Sequence, residues 1–150
     1  MTNQFRILNN FPRSKLHELI KNNDNLVGIE LGVAKGSFSK KMIETQKFNF
    51  FFGVDKYSDH HNTKEYLQAI YNVGVFSNYK LIRSTFDEAL ELFEDNSFDF
   101  IYIDGYAHNG QLGGDTIVKW YPKLKINGVI CGDDYDDKFP LVKQVVNYLA

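Results

Sequence analysis

Five short apolar runs, each separated from the next by enough chain for a helix, limit what this sequence can fold into more than any other feature. They are LVGIEL near 26–31, FNFFFGVD near 49–55, YKLIRS at 79–84, FDFIYID at 98–104 and GVICGDD at 128–134. Runs this short, apolar on both alternating faces, read as strands of a parallel sheet that is covered above and below. Helical periods fall between them, near 36–46, 63–73, 86–94 and 111–121. A last one covers 139–149, where Pro140 is acceptable in the first turn. Before the first run, SKLHELIKN sets Leu16, Leu19 and Ile20 on one face of a short leading helix. Strands alternating with helices through right-handed crossovers give an α/β fold: a Rossmann-like, doubly wound parallel sheet with helices on both faces. The expected strand order is 3-2-1-4-5, with the last helix packed on the sheet and no antiparallel strand within it.

Residues 1–150 read as one domain, with no internal repeat, low-complexity tract or linker. The chain is 43% hydrophobic and 15% aromatic, which argues for a packed core rather than disorder. A net charge of -2 without a basic block argues against a partner held through nucleic-acid phosphates. One cysteine, Cys131, excludes an intrachain disulfide framework and a multi-cysteine metal site, and suits the cytoplasm. No apolar run reaches membrane-spanning length and the N-terminal residues show no signal-peptide core, so no membrane association is expected.

In an open α/β sheet, ligands bind beyond the carboxyl ends of the strands, near the point where strand order reverses. Four of the five strands bring acids to that rim: Glu30, Asp55, Asp104, and the pair Asp133 and Asp134. The third brings Ser84 and Thr85. Between the first strand and its helix, Gly32 and Gly36 stand four residues apart, where glycine lets backbone approach a ligand and a helix start offers free N–H groups. A dinucleotide fingerprint would need a glycine where Ala34 stands, which weighs against NAD or FAD. Asp55 lies where an acid would accept hydrogen bonds from both hydroxyls of a ribose.

These stretches resemble a known family. ELGVAKGSFS looks like the first motif of the class I S-adenosylmethionine-dependent methyltransferases, closest to the O-methyltransferase type found in catechol O-methyltransferase-like enzymes. FIYIDGYAH and YPKLKINGVICGDDY resemble the macrocin and novobiocin sugar O-methyltransferase group, and the likeness runs over about residues 26–135. The resemblance implies S-adenosylmethionine as cofactor. Its methionine part would lie on Glu30, Gly32, Val33, Gly36 and Ser37, with Asp104 alongside. Its ribose would lie on Asp55 beside Lys56, and its adenine near Ser84, Thr85 and Phe86. It also implies a divalent cation, usually Mg²⁺, on Asp104, Asp133 and Asp134. Physical chemistry agrees, because three converging carboxylates repel unless protonated or neutralised, and an all-oxygen set suits a hard ion. The implied reaction is metal-assisted methylation of a hydroxyl on a small molecule such as a sugar.

The sequence also departs from that group. Its members often carry an acid two residues after the first metal aspartate; here that position is Tyr106, and His108, two further on, is the better base near neutral pH. His60 and His61 read as solvated loop residues, Trp120 as core, and Asp136 and Asp137 as caps for the last helix. Family members usually continue into an antiparallel hairpin absent from these 150 residues. The domain is therefore read as C-terminally incomplete, or with the fifth strand's edge covered by the last helix or by another subunit of a homo-oligomer. Two rival functions stay in view: a non-catalytic S-adenosylmethionine-binding module and a nicotinamide-dependent oxidoreductase. Nucleic-acid base methylation is disfavoured, since the fourth strand runs into DGYAH instead of an N-P-P-Y-like tetrad.

Overall fold

The computed structural model describes residues 6–8, 10–21, 25–104, 115–133 and 135–150. Five strands, β1 (Leu26–Leu31), β2 (Phe48–Asp55), β3 (Tyr79–Arg83), β4 (Phe98–Ile103) and β5 (Leu124–Gly132), form one sheet in the order β3-β2-β1-β4-β5. All four neighbouring pairs are parallel, as the alternation of elements requires. The helices are α1 (Ser37–Glu44), α2 (Thr63–Asn72), α3 (Phe86–Leu90), α4 (Asp115–Trp120) and α5 (Pro140–Leu149).

Alternating side chains divide the core into two layers. Phe48, Phe51, Tyr79, Phe100 and Tyr102 meet Met42 and Ile43 of α1, with Leu16 and Ile20 from the leading segment. Ile29, Leu31, Val54, Ile101 and Ile103 meet Ala89, Trp120 and Val142 on the opposite face. Trp120 is wholly buried there, as expected. Val142 brings α5 onto this second face of the sheet. Truncating a buried aromatic such as Phe100 would cost about 3–5 kcal/mol in lost contact and cavity.

Local signals explain where elements start. Asn62 and Thr85 each accept a hydrogen bond from the N–H three residues on, Glu65 and Glu88, both at 3.1 Å. These are helix N-caps, with the acid at the third helical position favoured by the helix dipole.

The leading segment, Arg13–Leu19, is the short helix expected there, of the 3-10 kind. Three expectations need correction. Helix α3 stops at Leu90, because the N–H groups of Leu92 and Phe93 donate to carbonyls three residues back, the tighter turn that often closes a helix. Strand β5 starts four residues early, at Leu124, and reaches its apolar run through Asn127 at φ 66°. The polar Lys125 and Asn127 concealed that stretch. Asp136 and Asp137 do not cap α5, whose N-cap position is Phe139. Asp136 Oδ1 accepts from Lys138 N at 2.9 Å, and Asp137 pairs with Lys143 at 2.7 Å.

Candidate functional site

The strand order reverses between β1 and β4, so the crevice belongs at their carboxyl ends. Backbone hydrogen bonds carry the ladder one residue past the strands. Gly32 N donates to Val54 O at 2.8 Å, Asp104 N to Leu31 O at 2.8 Å, Asp133 N to Ile103 O at 3.2 Å and Ser84 N to Asp55 O at 3.1 Å. The rim residues therefore stand side by side at fixed spacing.

The turn after β1 is held in an unusual backbone path. Gly32 (φ 94°), Ala34 (φ 51°) and Gly36 (φ 85°) all have positive φ, so the position that lacks the fingerprint glycine still takes the left-handed conformation. Asp55 pins it. One carboxylate oxygen, Oδ2, accepts from Val33 N (2.9 Å), Ala34 N (3.0 Å) and the His61 imidazole (Nδ1, 2.7 Å), while Oδ1 accepts from Tyr57 N at 3.0 Å. Tyr57 adds a bond from its hydroxyl to Ala34 O at 2.6 Å. Burial pushes the Tyr57 phenol well above its ordinary value, so it remains a donor. The Asp55 carboxylate is 3% exposed and faces the turn and His61.

Glu30 is buried behind this turn. Ser39 Oγ of α1 donates to its Oε1 at 2.7 Å, and Tyr79 donates to Ser39 Oγ at 3.1 Å. Desolvation holds the Glu30 carboxyl well above the usual carboxylate range. The Ser39 bond pulls it back, and the charges of Asp104 and Asp55 push it further up. Burying an ionised carboxylate is costly, and protonation is the ordinary relief.

At the other end of the rim, Arg13 reaches in from the 3-10 helix. Its Nη1 lies 3.0 Å from Asp133 Oδ2, 3.4 Å from Asp104 Oδ2 and 3.2 Å from the Tyr102 hydroxyl. Burial and the nearby Asp104 charge push the Tyr102 phenol up. Its hydrogen bond to Arg13, then the two carboxylates, hold the guanidinium further toward its charged form. The two aspartates thus converge on one cation, Arg13. A divalent ion such as Mg²⁺ needs oxygens at about 2.1 Å in near-octahedral array. With a guanidinium bridging Asp104 and Asp133, this aspartate pair does not fit such an ion.

The remaining expected residues are dispersed in role. Val33 is buried in the turn, Ser37 is exposed at the start of α1 and Lys56 is exposed beside Asp55. Ser84 Oγ donates to Thr85 O, and Thr85 is occupied as the α3 cap. The half-buried Phe86 packs into the second core layer. Tyr106, His108 and Asp134 lie outside the described residues. His61 is not a solvated loop residue, because it packs on Asp55 with its side chain 18% exposed. Sequence reasoning missed Arg13 and Ser39 altogether. Arg13 lies 91 positions from Asp104, and nothing in its local sequence marks it.

Comparison with known proteins agrees with this architecture. Residues 29–135 match the methyltransferase-domain family, and the chain belongs to it. No curated protein sequence matches the chain. Among solved structures, it is similar to a precorrin-6y C5,15-methyltransferase from Geobacter metallireducens, with a TM-score of 0.71 and 19% identity over 92% of this chain and 69% of that one. It is also similar to a precorrin 8w decarboxylase from Methanobacterium thermoautotrophicum (TM-score 0.70, 17% identity, 91% and 68% covered). A third likeness is an S-adenosylmethionine-dependent methyltransferase from Geobacter sulfurreducens in complex with S-adenosylhomocysteine (TM-score 0.58, 16% identity). Here 79% of this chain covers 45% of that one. The fold is a Rossmann-like methyltransferase fold. Among the described residues, no helix is long and apolar enough to cross a membrane.

Proposed function

We propose that the chain binds S-adenosylmethionine across the Gly32–Gly36 turn and methylates a hydroxyl oxygen of a small molecule, in the reducing cytosol that Cys131 suits. The observation that carries this reading is the turn itself. Three positive-φ residues, pinned from below by Asp55, lead into the N-terminus of α1 at the sheet's switch point. The family match over residues 29–135 supports it.

In this reading Gly32, Val33, Gly36 and Ser37 would line the methionine part, with Asp104 near its amino group. Asp55 would receive the ribose hydroxyls in place of the His61 nitrogen. A bound S-adenosylmethionine supplies a methyl carbon on a sulfonium sulfur; transfer breaks that C–S bond, forms a C–O bond and releases the hydroxyl proton. The chain's contribution is chiefly placement of the acceptor oxygen in line with the methyl carbon. Asp104 and Asp133, half-buried at the adjacent rim, would hold that hydroxyl or take its proton in this reading. His108 and Tyr106 stay candidates for the proton acceptor by sequence position. The divalent cation implied by family resemblance has no step here, because Arg13 bridges two of its three aspartates.

The test is transfer of a labelled methyl group from S-adenosylmethionine to a panel of hydroxylated sugars and phenols. Label in an oxygen-linked methyl product supports the proposal. Label only on nitrogen or carbon acceptors would overturn the O-methylation part, and cofactor binding without transfer to any acceptor would favour the binding-module alternative.

A further inference from the structure

The Asp104–Asp133 pair sits where the sequence expects a divalent metal, yet a side chain from a distant segment already supplies its positive charge. Arg13 is placed there by a packed element. The 3-10 helix that carries it buries Leu16, followed by Ile20, in the same core layer as Met42 of α1 and Phe100 of β4. A single nitrogen, Nη1, reaches oxygens of Tyr102, Asp104 and Asp133, residues from β4 and from beyond the ends of β4 and β5. Tyr102, kept protonated by burial, adds a third oxygen to that nitrogen's surroundings.

We propose that Arg13 is the resident cation of this acceptor end: it takes the position of the metal, excludes divalent ions from the aspartate pair, and meets the acceptor's oxygen itself. The physical grounds are charge and shape. Arg13 gives one fixed positive charge to two carboxylates, so a divalent ion entering beside it meets a half-neutralised pair and a like charge. A guanidinium does not lose its proton in a protein, so the exclusion holds at any working pH. It has five N–H donors. Among the described residues only Nη1 is engaged, and the side chain is 55% exposed. The other donors are left to bind a hydroxyl or oxyanion, lowering its pKa as a metal would. That last step rests on the methyltransferase reading; the exclusion of metal does not.

The experiment is a titration of the full chain with Mn²⁺, followed by loss of the free-ion electron paramagnetic resonance signal. Compared are wild type, Asp133→Asn, Arg13→Lys, Arg13→Gln, and Arg13→Gln combined with Asp133→Asn. Wild type and Arg13→Lys, which keep the charge, should bind Mn²⁺ weakly. Arg13→Gln should bind at least ~10-fold more tightly, and adding Asp133→Asn should abolish the gain. Asp59, His60 and His61, whose ligand atoms lie within 4.8 Å of one another, form a separate cluster. The Asp133 control separates any binding there from the rim. Wild-type binding as tight as that of Arg13→Gln, and sensitive to Asp133→Asn alone, would overturn the proposal, and so would no gain in Arg13→Gln. The wild-type arm decides the matter even where Arg13→Gln fails to fold, because Asp133-dependent Mn²⁺ binding by the intact chain refutes exclusion directly. Failure of methyl transfer would leave these results unchanged, so the two readings fall separately.

Discussion

Replacing Asp55 by alanine should destabilise the fold as well as the cofactor site, and the structure gives the scale. The carboxylate accepts four hydrogen bonds, three of them from backbone N–H groups of Val33, Ala34 and Tyr57. Val33 and Tyr57 are 4% and 1% exposed, so water cannot readily replace the lost acceptor at those two. Leaving a buried donor unsatisfied costs about 1–3 kcal/mol, and hydrogen bonds to charged groups lie at the upper end. The effects share one network and are not additive, so the expected loss is about 3–5 kcal/mol. Asp55→Asn should lose less, about 1–3 kcal/mol. Its amide oxygen can serve the Val33 and Ala34 N–H groups, but its NH₂ then faces the Tyr57 N–H, donor against donor. Urea unfolding followed by fluorescence of Trp120 reads both values. Calorimetry on the fraction that remains folded should also show S-adenosylhomocysteine affinity reduced by about 1–3 kcal/mol in Asp55→Ala. A change in unfolding free energy below about 1 kcal/mol for Asp55→Ala would refute the idea that this carboxylate holds the turn.

Glu30 predicts a pH dependence. Its folded value is raised, so its contribution to stability is fully present below the ordinary carboxylate value and is lost as pH rises through the folded one. Glu30→Gln should therefore raise Tm at neutral pH and flatten its dependence on pH between acid and neutral; parallel wild-type and variant curves would contradict this. Gly36→Ala should cost about 2–4 kcal/mol by urea unfolding, combining a left-handed backbone with a new Cβ 2.9 Å from Val73 Cγ1. A loss under about 1 kcal/mol would mean that the turn relaxes freely.

Most of the fold was legible because strand and helix periods are local properties. The run Leu26–Leu31 coincides with β1, and the helical period near 63–73 coincides with α2, Thr63–Asn72. Legibility failed where polar residues interrupt a strand, as at Lys125 and Asn127. The glycine turn and its acids were legible for the same local reason, and the rim follows from the sheet. What each acid touches was not. Asp55 turning inward to Val33 and Ala34, and Arg13 crossing to Asp104 and Asp133, are long-range pairings that no sequence spacing encodes, and His61, though six residues from Asp55, joins it through a loop path that the sequence does not mark.

The central claim is that the Gly32–Gly36 turn is an S-adenosylmethionine site. Its most direct test is calorimetry of the chain with S-adenosylhomocysteine and, separately, with NAD. The account predicts saturable one-to-one binding of S-adenosylhomocysteine, weakened in Asp55→Ala, and no saturable binding of NAD. Saturation by NAD with no response to S-adenosylhomocysteine would contradict it.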